Sequence, residues 1–237
     1  ADYKLIGAQL EGGYAEYVVA PAINARPIPD GMSYVEAATL PICITTAWRN
    51  LHTKGQLKLG DLVLIPGADS RVSVFAIQIA KASGAVVITT TSTEEKMNRA
   101  RGLGADHVIN YKTDDVVKVV RELTDGRGID LVIDHVGEAT WGQSLGSLRK
   151  GGRMVSLGAT TGTHYPLDIQ AFYSSEVSIM ASASNTRSDF NNGMRLVDQG
   201  QVKPVVDRVF PLRDVSEATR RLEHGEQFGK IVLSVPN

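Results

Sequence analysis

The stretch "LVLIPGADSRVSVFAIQIAKASGA" (62–85) runs from an apolar segment through a turn into an apolar stripe of helical period. That order, strand then loop then helix, is the opening unit of a nucleotide-binding sheet, whose ligand lies at the carboxyl end of the strand. Such a loop is usually glycine-rich, because bare backbone must approach a phosphate. Here Gly67 is the one glycine between Pro66 and Val74, and Asp69, Ser70, Arg71 and Ser73 fill most of the rest. Amides at a helix N-terminus favour an anion, whereas Asp69 opposes one. At roughly 6 Å and an effective dielectric near 20 that repulsion reaches about 3 kcal/mol, and Arg71 is placed to offset it. On these residues alone the alternatives are a modified phosphate loop and a plain strand–helix corner.

The pattern continues outward from this unit. Strand candidates are LVLI (62–65), AVVITT (85–90), HVIN (107–110), IDLVID (129–134), RMVSLG (153–158) and VSIMAS (177–182). Helical periods fall at 72–83, 93–102, 114–124 and 138–149, with Ser92 and Glu95 spaced as a capping box and Gly104 as a helix stop. Nearly all-apolar strands separated by single helices imply a parallel sheet covered on both faces, and right-handed crossovers make it a doubly wound α/β fold. The ends read differently. Residues 14–20 (YAEYVVA) alternate like a half-exposed strand, Ser33 and Glu36 open a helix expected to run to about residue 54, and 205–235 reads strand, helix, strand.

Composition narrows the function classes. The 237 residues include 25 basic and 26 acidic side chains, for a net charge of −1 and no block of like charge. That leaves no footprint for nucleic acid or an anionic membrane. The single cysteine, Cys43, excludes an internal disulfide framework and fits a reducing compartment, so a soluble cytoplasmic protein is expected. The five histidines show no HExxH or H-x₃₋₅-H spacing. GQSLG (142–146) matches the G-x-S-x-G elbow, but that motif needs its serine on the turn after a strand. Ser144 instead falls ten residues after Asp134, inside a helical period.

Seven segments occur in a fixed order: GGYAEYVVAPA (12–22), LPICITTAW (40–48), AIQIAK (76–81), LGADHVINY (103–111), DHVG (134–137), GGRMVSLGATTG (151–162) and FGKIVL (228–233). Together they resemble the medium-chain dehydrogenase/reductase superfamily, in the branch of quinone oxidoreductases and alcohol dehydrogenase-like proteins, over essentially the whole chain. The loop pattern of that branch matches Ala68, Ser70 and Val72, while Ser73 replaces the last glycine. The resemblance implies a Rossmann domain over 44–185, a last piece of a GroES-like β-rich catalytic domain over 1–43, and a return segment to that domain over 186–237. By this resemblance the chain lacks most of that catalytic domain, as a short protein, a processed fragment or a trimmed one.

It also implies a nicotinamide cofactor, and the chemistry of the second strand's end points to NADP(H). An NAD-type site places an acid there for the ribose hydroxyls. Here that position is Thr91, followed by Ser92 and Lys96, with Tyr111 near the adenosine. As in similar reductases, Ser92 and Lys96 are expected on a 2′-phosphate, with Tyr111 at the adenosine end, although Lys96 also reads as a solvated surface lysine. By resemblance, Thr46, Val136, Gly137, Gly158, Ala159 and Thr160 lie along the nicotinamide half, and Lys230 faces the pyrophosphate. Zinc-type relatives place a cysteine ligand at the position of Ile42, so Cys43 reads as a buried filler and no metal is expected. The implied activity is zinc-independent hydride transfer to a quinone, enone or carbonyl. The alternatives are an alcohol dehydrogenase-like fragment without its metal ligands and a silent NADPH-binding or oligomerisation module. No catalytic residue is named. The expected partners are a small-molecule substrate and a second copy, paired through the edge strand 176–182.

Overall fold

The computed structural model describes residues 4–235. Its centre is a six-stranded, wholly parallel sheet built from β1 (Leu62–Ile65), β2 (Val86–Thr91), β3 (His107–Asn110), β4 (Ile129–Asp134), β5 (Leu148–Ser156) and β6 (Ser178–Ala181). The strand order is β3-β2-β1-β4-β5-β6, so the chain reverses its direction of travel between β1 and β4. The crevice at that reversal is where doubly wound sheets receive their ligands.

Alternate residues of each strand feed two separate cores, which explains the continuous apolar runs. Val63, Ile65, Val87, Leu131 and Ile133 join one core, and Leu64, Ile88, Val132 and Met154 join the other. The first core is closed by α2 (Pro41–Trp48), α3 (Ser73–Ala82) and α8 (Arg187–Asp198). Residues 73–80 of α3 are all buried, since the helix lies between the sheet and α2. The second core is closed by α5 (Val116–Leu123) and α6 (Glu138–Ser147). Helix α4 (Glu94–Gly102) follows β2, and α7 (Ile169–Ser175) precedes β6. At the carboxyl terminus β7 (Val206–Pro211) and β8 (Lys230–Ser234) form a separate parallel pair joined by α9 (Val215–Glu223).

Three local expectations are corrected. Residues 14–20 form no strand, and Tyr17 and Val19 are 90% and 96% exposed. A strand needs a partner for its amides and carbonyls, and none of the described strands pairs with this one. The helix opened by the Ser33–Glu36 capping box stops after α1 (Tyr34–Ala37). It restarts at Pro41, which lacks an N–H and sits at the first turn of α2. From Arg49 to Lys54 the helix continues in π geometry. Finally, α4 is capped by Thr93, whose hydroxyl accepts from the Lys96 amide, and not by Ser92.

The contact between α8 and the π-helical segment centres on Asp189, which is 2% exposed. Its carboxylate accepts from Arg49 at 2.9 Å, Thr53 Oγ1 at 2.6 Å, and the Thr186 amide and hydroxyl at 3.1 and 2.6 Å. Burial raises its pKa, but the hydrogen bonds from Thr186, Thr53 and Arg49 outweigh that and hold it below the usual carboxylate value. Asp189→Ala strands the Arg49 guanidinium, and the expected loss is about 3–5 kcal/mol in urea unfolding. Because the folded pKa is depressed, the contribution of Asp189 is fully present above its unfolded value, about 3.9, and is lost as the pH falls through the folded value. Acid titration of stability should therefore be shallower in the variant than in the parent.

Candidate functional site

Four chain segments meet at the carboxyl ends of the strands: the loop 66–73 after β1, residues 91–96 after β2, 135–137 after β4, and 157–162 after β5. Their arrangement begins with Asp134, the last residue of β4, which is 0% exposed. Its Oδ1 accepts from the amides of Val136 at 2.9 Å and Gly137 at 3.1 Å. Its Oδ2 accepts from Thr140 Oγ1 at 2.8 Å and Ser144 Oγ at 2.6 Å. Ser144 is thus a fully buried donor inside α6, as its helical spacing implied, and no nucleophile elbow exists there.

The turn fixed by Asp134 presents His135 to the β1 loop. His135 Nε2 lies 2.9 Å from Ser73 Oγ and 3.1 Å from Ser70 Oγ, and the two hydroxyls are 2.9 Å apart. Burial lowers the imidazole pKa, against the attraction of Asp134 and Asp69, and keeps the ring neutral at pH 7. One arrangement then links the three side chains: Ser73 donates to Nε2, Ser70 donates to Ser73, and the Ser73 amide donates to Ser70 Oγ at 3.0 Å. His135 is the member of the site that sequence reasoning left without a role, because its partners stand 62 and 65 residues away.

The loop itself is pinned by Ala68, which is buried and donates its amide to Thr90 O at 2.8 Å. Gly67 adopts φ +70°, a conformation open to glycine, against the His135 ring. Val72 caps α3 without a side-chain bond, and the amides of Arg71 and Val72 find no acceptor among the described residues. Two unspent amides at the start of a helix suit an anion. Arg71 and Lys230 line one cavity of about 320 Å³ beside the loop. Both also lower the Cys43 thiol pKa, although burial dominates and raises it. The donor set therefore fits the pyrophosphate of a dinucleotide.

The other expected residues fall around this centre. Val136 O accepts from the Thr161 amide at 3.0 Å and from Thr160 Oγ1 at 3.2 Å, which ties 135–137 to 157–162 and brings Gly137, Gly158, Ala159 and Thr160 together. A Cβ on Gly158 would stand 2.5 Å from His135 O, and one on Gly137 2.8 Å from the Ala159 Cα. Both glycines are therefore required by the packing of the two turns. Thr46, on α2, accepts from Asn185 Nδ2 at 3.2 Å. Tyr111 is half-exposed after β3, with its amide on Thr91 O at 3.1 Å. Ser92 is partly buried beside them.

Two electrostatic expectations change. Asp69 was expected to oppose an anion at α3, but its carboxylate pairs with Lys96 Nζ at 2.6 Å. Lys96, expected either on a 2′-phosphate or solvated, spends a second N–H on Gly225 O at 2.8 Å. Cys43 is a fully buried core residue of α2. Among the described residues, no three His, Cys, Asp or Glu side chains are grouped to hold a metal ion.

A crevice at the sheet's reversal with anion-seeking loops defines a dinucleotide-binding class of fold. The family model described as zinc-binding dehydrogenase matches residues 72–199. A zinc-type alcohol dehydrogenase-like protein of Schizosaccharomyces pombe is 34% identical over 99% of this chain and 70% of its own length. The 2-haloacrylate reductase of a Burkholderia species is 33% identical over 94% of this chain and 70% of its length. The crystal structure of an NAD-dependent alcohol dehydrogenase superposes with a TM-score of 0.94 and 41% identity, covering 99% of this chain and 68% of that one. The chain belongs to the zinc-binding dehydrogenase family of the medium-chain dehydrogenase/reductase superfamily, and it spans about two thirds of the length of such relatives.

Gly158→Ala forces the 157–162 turn away from the His135 carbonyl. Overpacking of this kind costs about 1–3 kcal/mol. A thermal unfolding scan should register that loss, and titration with a reduced nicotinamide dinucleotide should show weaker binding.

Proposed function

We propose that the chain carries the cofactor half of a zinc-independent, NADPH-dependent reductase that delivers hydride to an electrophilic carbon of a quinone, enone or carbonyl compound. The observation that carries this reading is the pair of open amides, Arg71 and Val72, at the start of α3 in the loop at the sheet's reversal, with the Arg71 and Lys230 side chains lining one cavity beside it. The nicotinamide, when bound, supplies the hydride. The chain's own part is to hold and orient. Arg71, Lys230, Ser70 and the two amides face the pyrophosphate. Val136, Gly137, Gly158, Ala159, Thr160 and Thr46 border the nicotinamide half. Ser92, Lys96 and Tyr111 receive the 2′-phosphate, with Lys96 offering the one N–H left after Asp69 and Gly225. The reductase named for 2-haloacrylate, an activated alkene, is in keeping with this class of substrate.

A second reading is an alcohol dehydrogenase-like protein whose metal ligands lie outside this chain, favoured by the 41% identity to an NAD-dependent alcohol dehydrogenase. Consumption of NADPH with a quinone or an enal, against oxidation of a primary alcohol with NAD, separates the two. Absence of both turnovers with tight cofactor binding would leave a silent binding module. Lys96→Ala should weaken NADPH by about tenfold, the worth of one charge-assisted contact, and leave NADH nearly unchanged. Equal losses for both cofactors would remove the 2′-phosphate assignment.

The same reading extends to assembly. Strand β6 is the edge of the sheet, hydrogen-bonded to β5 alone among the described strands. It carries Ile179 and Met180 and no charge between Ser178 and Ala181. An edge of this kind is a template for a second copy, and antiparallel pairing about a two-fold axis closes it. Ile179→Lys should convert a dimer into monomers by light scattering. A parent chain that is monomeric at micromolar concentration would end the assembly proposal.

A further inference from the structure

Lys96 stands where recognition of a 2′-phosphate needs an available cation, yet it is already engaged. Its Nζ donates to Asp69 Oδ2 at 2.6 Å and to Gly225 O at 2.8 Å. The two side chains of the ion pair are only 15% and 22% exposed, so solvent and salt screen it less than a surface pair. The backbone reinforces the contact, because the Gly229 amide donates to Asp69 O at 2.9 Å. Asp69 is thereby anchored to the segment before β8 and held over α4 from a loop that belongs to β1. We propose that Asp69 is the cofactor-selectivity residue of this chain: by holding Lys96 at the end of β2, it attenuates recognition of the 2′-phosphate and keeps NADH admissible beside NADPH. This rests on the dinucleotide reading of the site.

The chemistry of the two cofactors makes the effect selective. An ammonium has three donors, two of which are spent here, so one remains for a phosphate. A phosphate that takes it must also approach the Asp69 carboxylate, which repels it. A ribose hydroxyl brings no charge. It can donate to Asp69 Oδ1, which accepts no hydrogen bond among the described residues. An acidic acceptor at the end of the second strand is what an NAD-type site uses. In this sequence that strand ends at Thr91, whose Oγ1 is buried with no partner among the described residues. The loop after β1 thus supplies the carboxylate that the end of β2 lacks.

The test titrates NADPH and NADH against the full chain by nicotinamide fluorescence, for the parent, Asp69→Asn and Asp69→Glu, and for the parent and Asp69→Asn with Lys96→Ala added. Asp69→Asn keeps the side chain's size and removes its charge. It should tighten NADPH by about tenfold and weaken NADH, whose ribose hydroxyl loses a charged acceptor. Asp69→Glu restores the charge and should keep the parent's ratio of affinities. With Lys96→Ala present, Asp69→Asn should move the ratio toward NADPH by less than it does in the parent, because only the carboxylate's direct action on phosphate and ribose is then removed. The proposal is overturned if Asp69→Asn shifts both cofactors equally, which is what a purely structural role in the loop would do, or if the shift is undiminished by loss of Lys96. If both cofactors bind the parent and the ratio does not move, the selectivity role alone falls. If neither binds any of these proteins, the dinucleotide reading itself falls, and this proposal with it.

Discussion

A carboxylate that is wholly removed from water must be surrounded by donors, and Asp134 meets that requirement with two amides and two hydroxyls. Much of the site's geometry follows from this demand. The amides it recruits curl the chain after β4 into a tight turn, and the hydroxyls of Thr140 and Ser144 bind the start of α6 to that turn. The turn aims His135 at the β1 loop and leaves Val136 O facing the loop after β5. Three strand ends are therefore set relative to one another by one buried charge. Leaving such a charge without its donors would cost several kcal/mol.

The parallel sheet was legible because its strands are apolar on both faces, and this produces runs such as LVLI and IDLVID that match β1 and β4 residue for residue. Elements failed where their stability comes from outside the local segment. Residues 14–20 have the alternation of a strand but no partner. Helix α8 was missed even though Thr186 and Asp189 form a capping box. Its apolar residues, Met194 and Val197, are few and gain meaning only against α2. The displaced cap on α4 has a simpler cause. Ser92 and Thr93 are adjacent with equivalent hydroxyls, and backbone geometry selects the second.

The site was half legible for a related reason. Residues that shape backbone, such as Gly137 and Gly158, announce themselves because few other side chains tolerate close main-chain packing. Residues that act through long-range pairs do not. Lys96 was visible as a basic residue after β2, but nothing local shows that Asp69, 27 residues earlier, would take its charge. His135 was visible within DHVG, but its serine partners lie on another strand's loop.

The substitutions within that loop depend on one another. Filling this loop with Ser70, Arg71 and Ser73 removes room for a phosphate and adds side chains that must be satisfied. The structure meets the second demand with the Ser70–Ser73–His135 network. Doing so occupies the Ser73 amide, leaving those of Arg71 and Val72 for an anion. Each amide withdrawn forfeits a hydrogen bond to a charged ligand, about 1.5–3 kcal/mol. Two features compensate. The Ser70–Ser73–His135 network orders this loop when the protein folds, so an ordering cost of about 1–2 kcal/mol per residue does not fall on binding. Arg71 and Lys230 line one cavity beside the loop, and on the proposed reading they replace part of the lost dipolar attraction with full charge. Charge acts at longer range than an amide but is screened over roughly 10 Å at 0.1 M salt. On the proposed reading, the loop thus holds an anion with fewer backbone contacts and with preorganised side chains whose grip is mainly electrostatic.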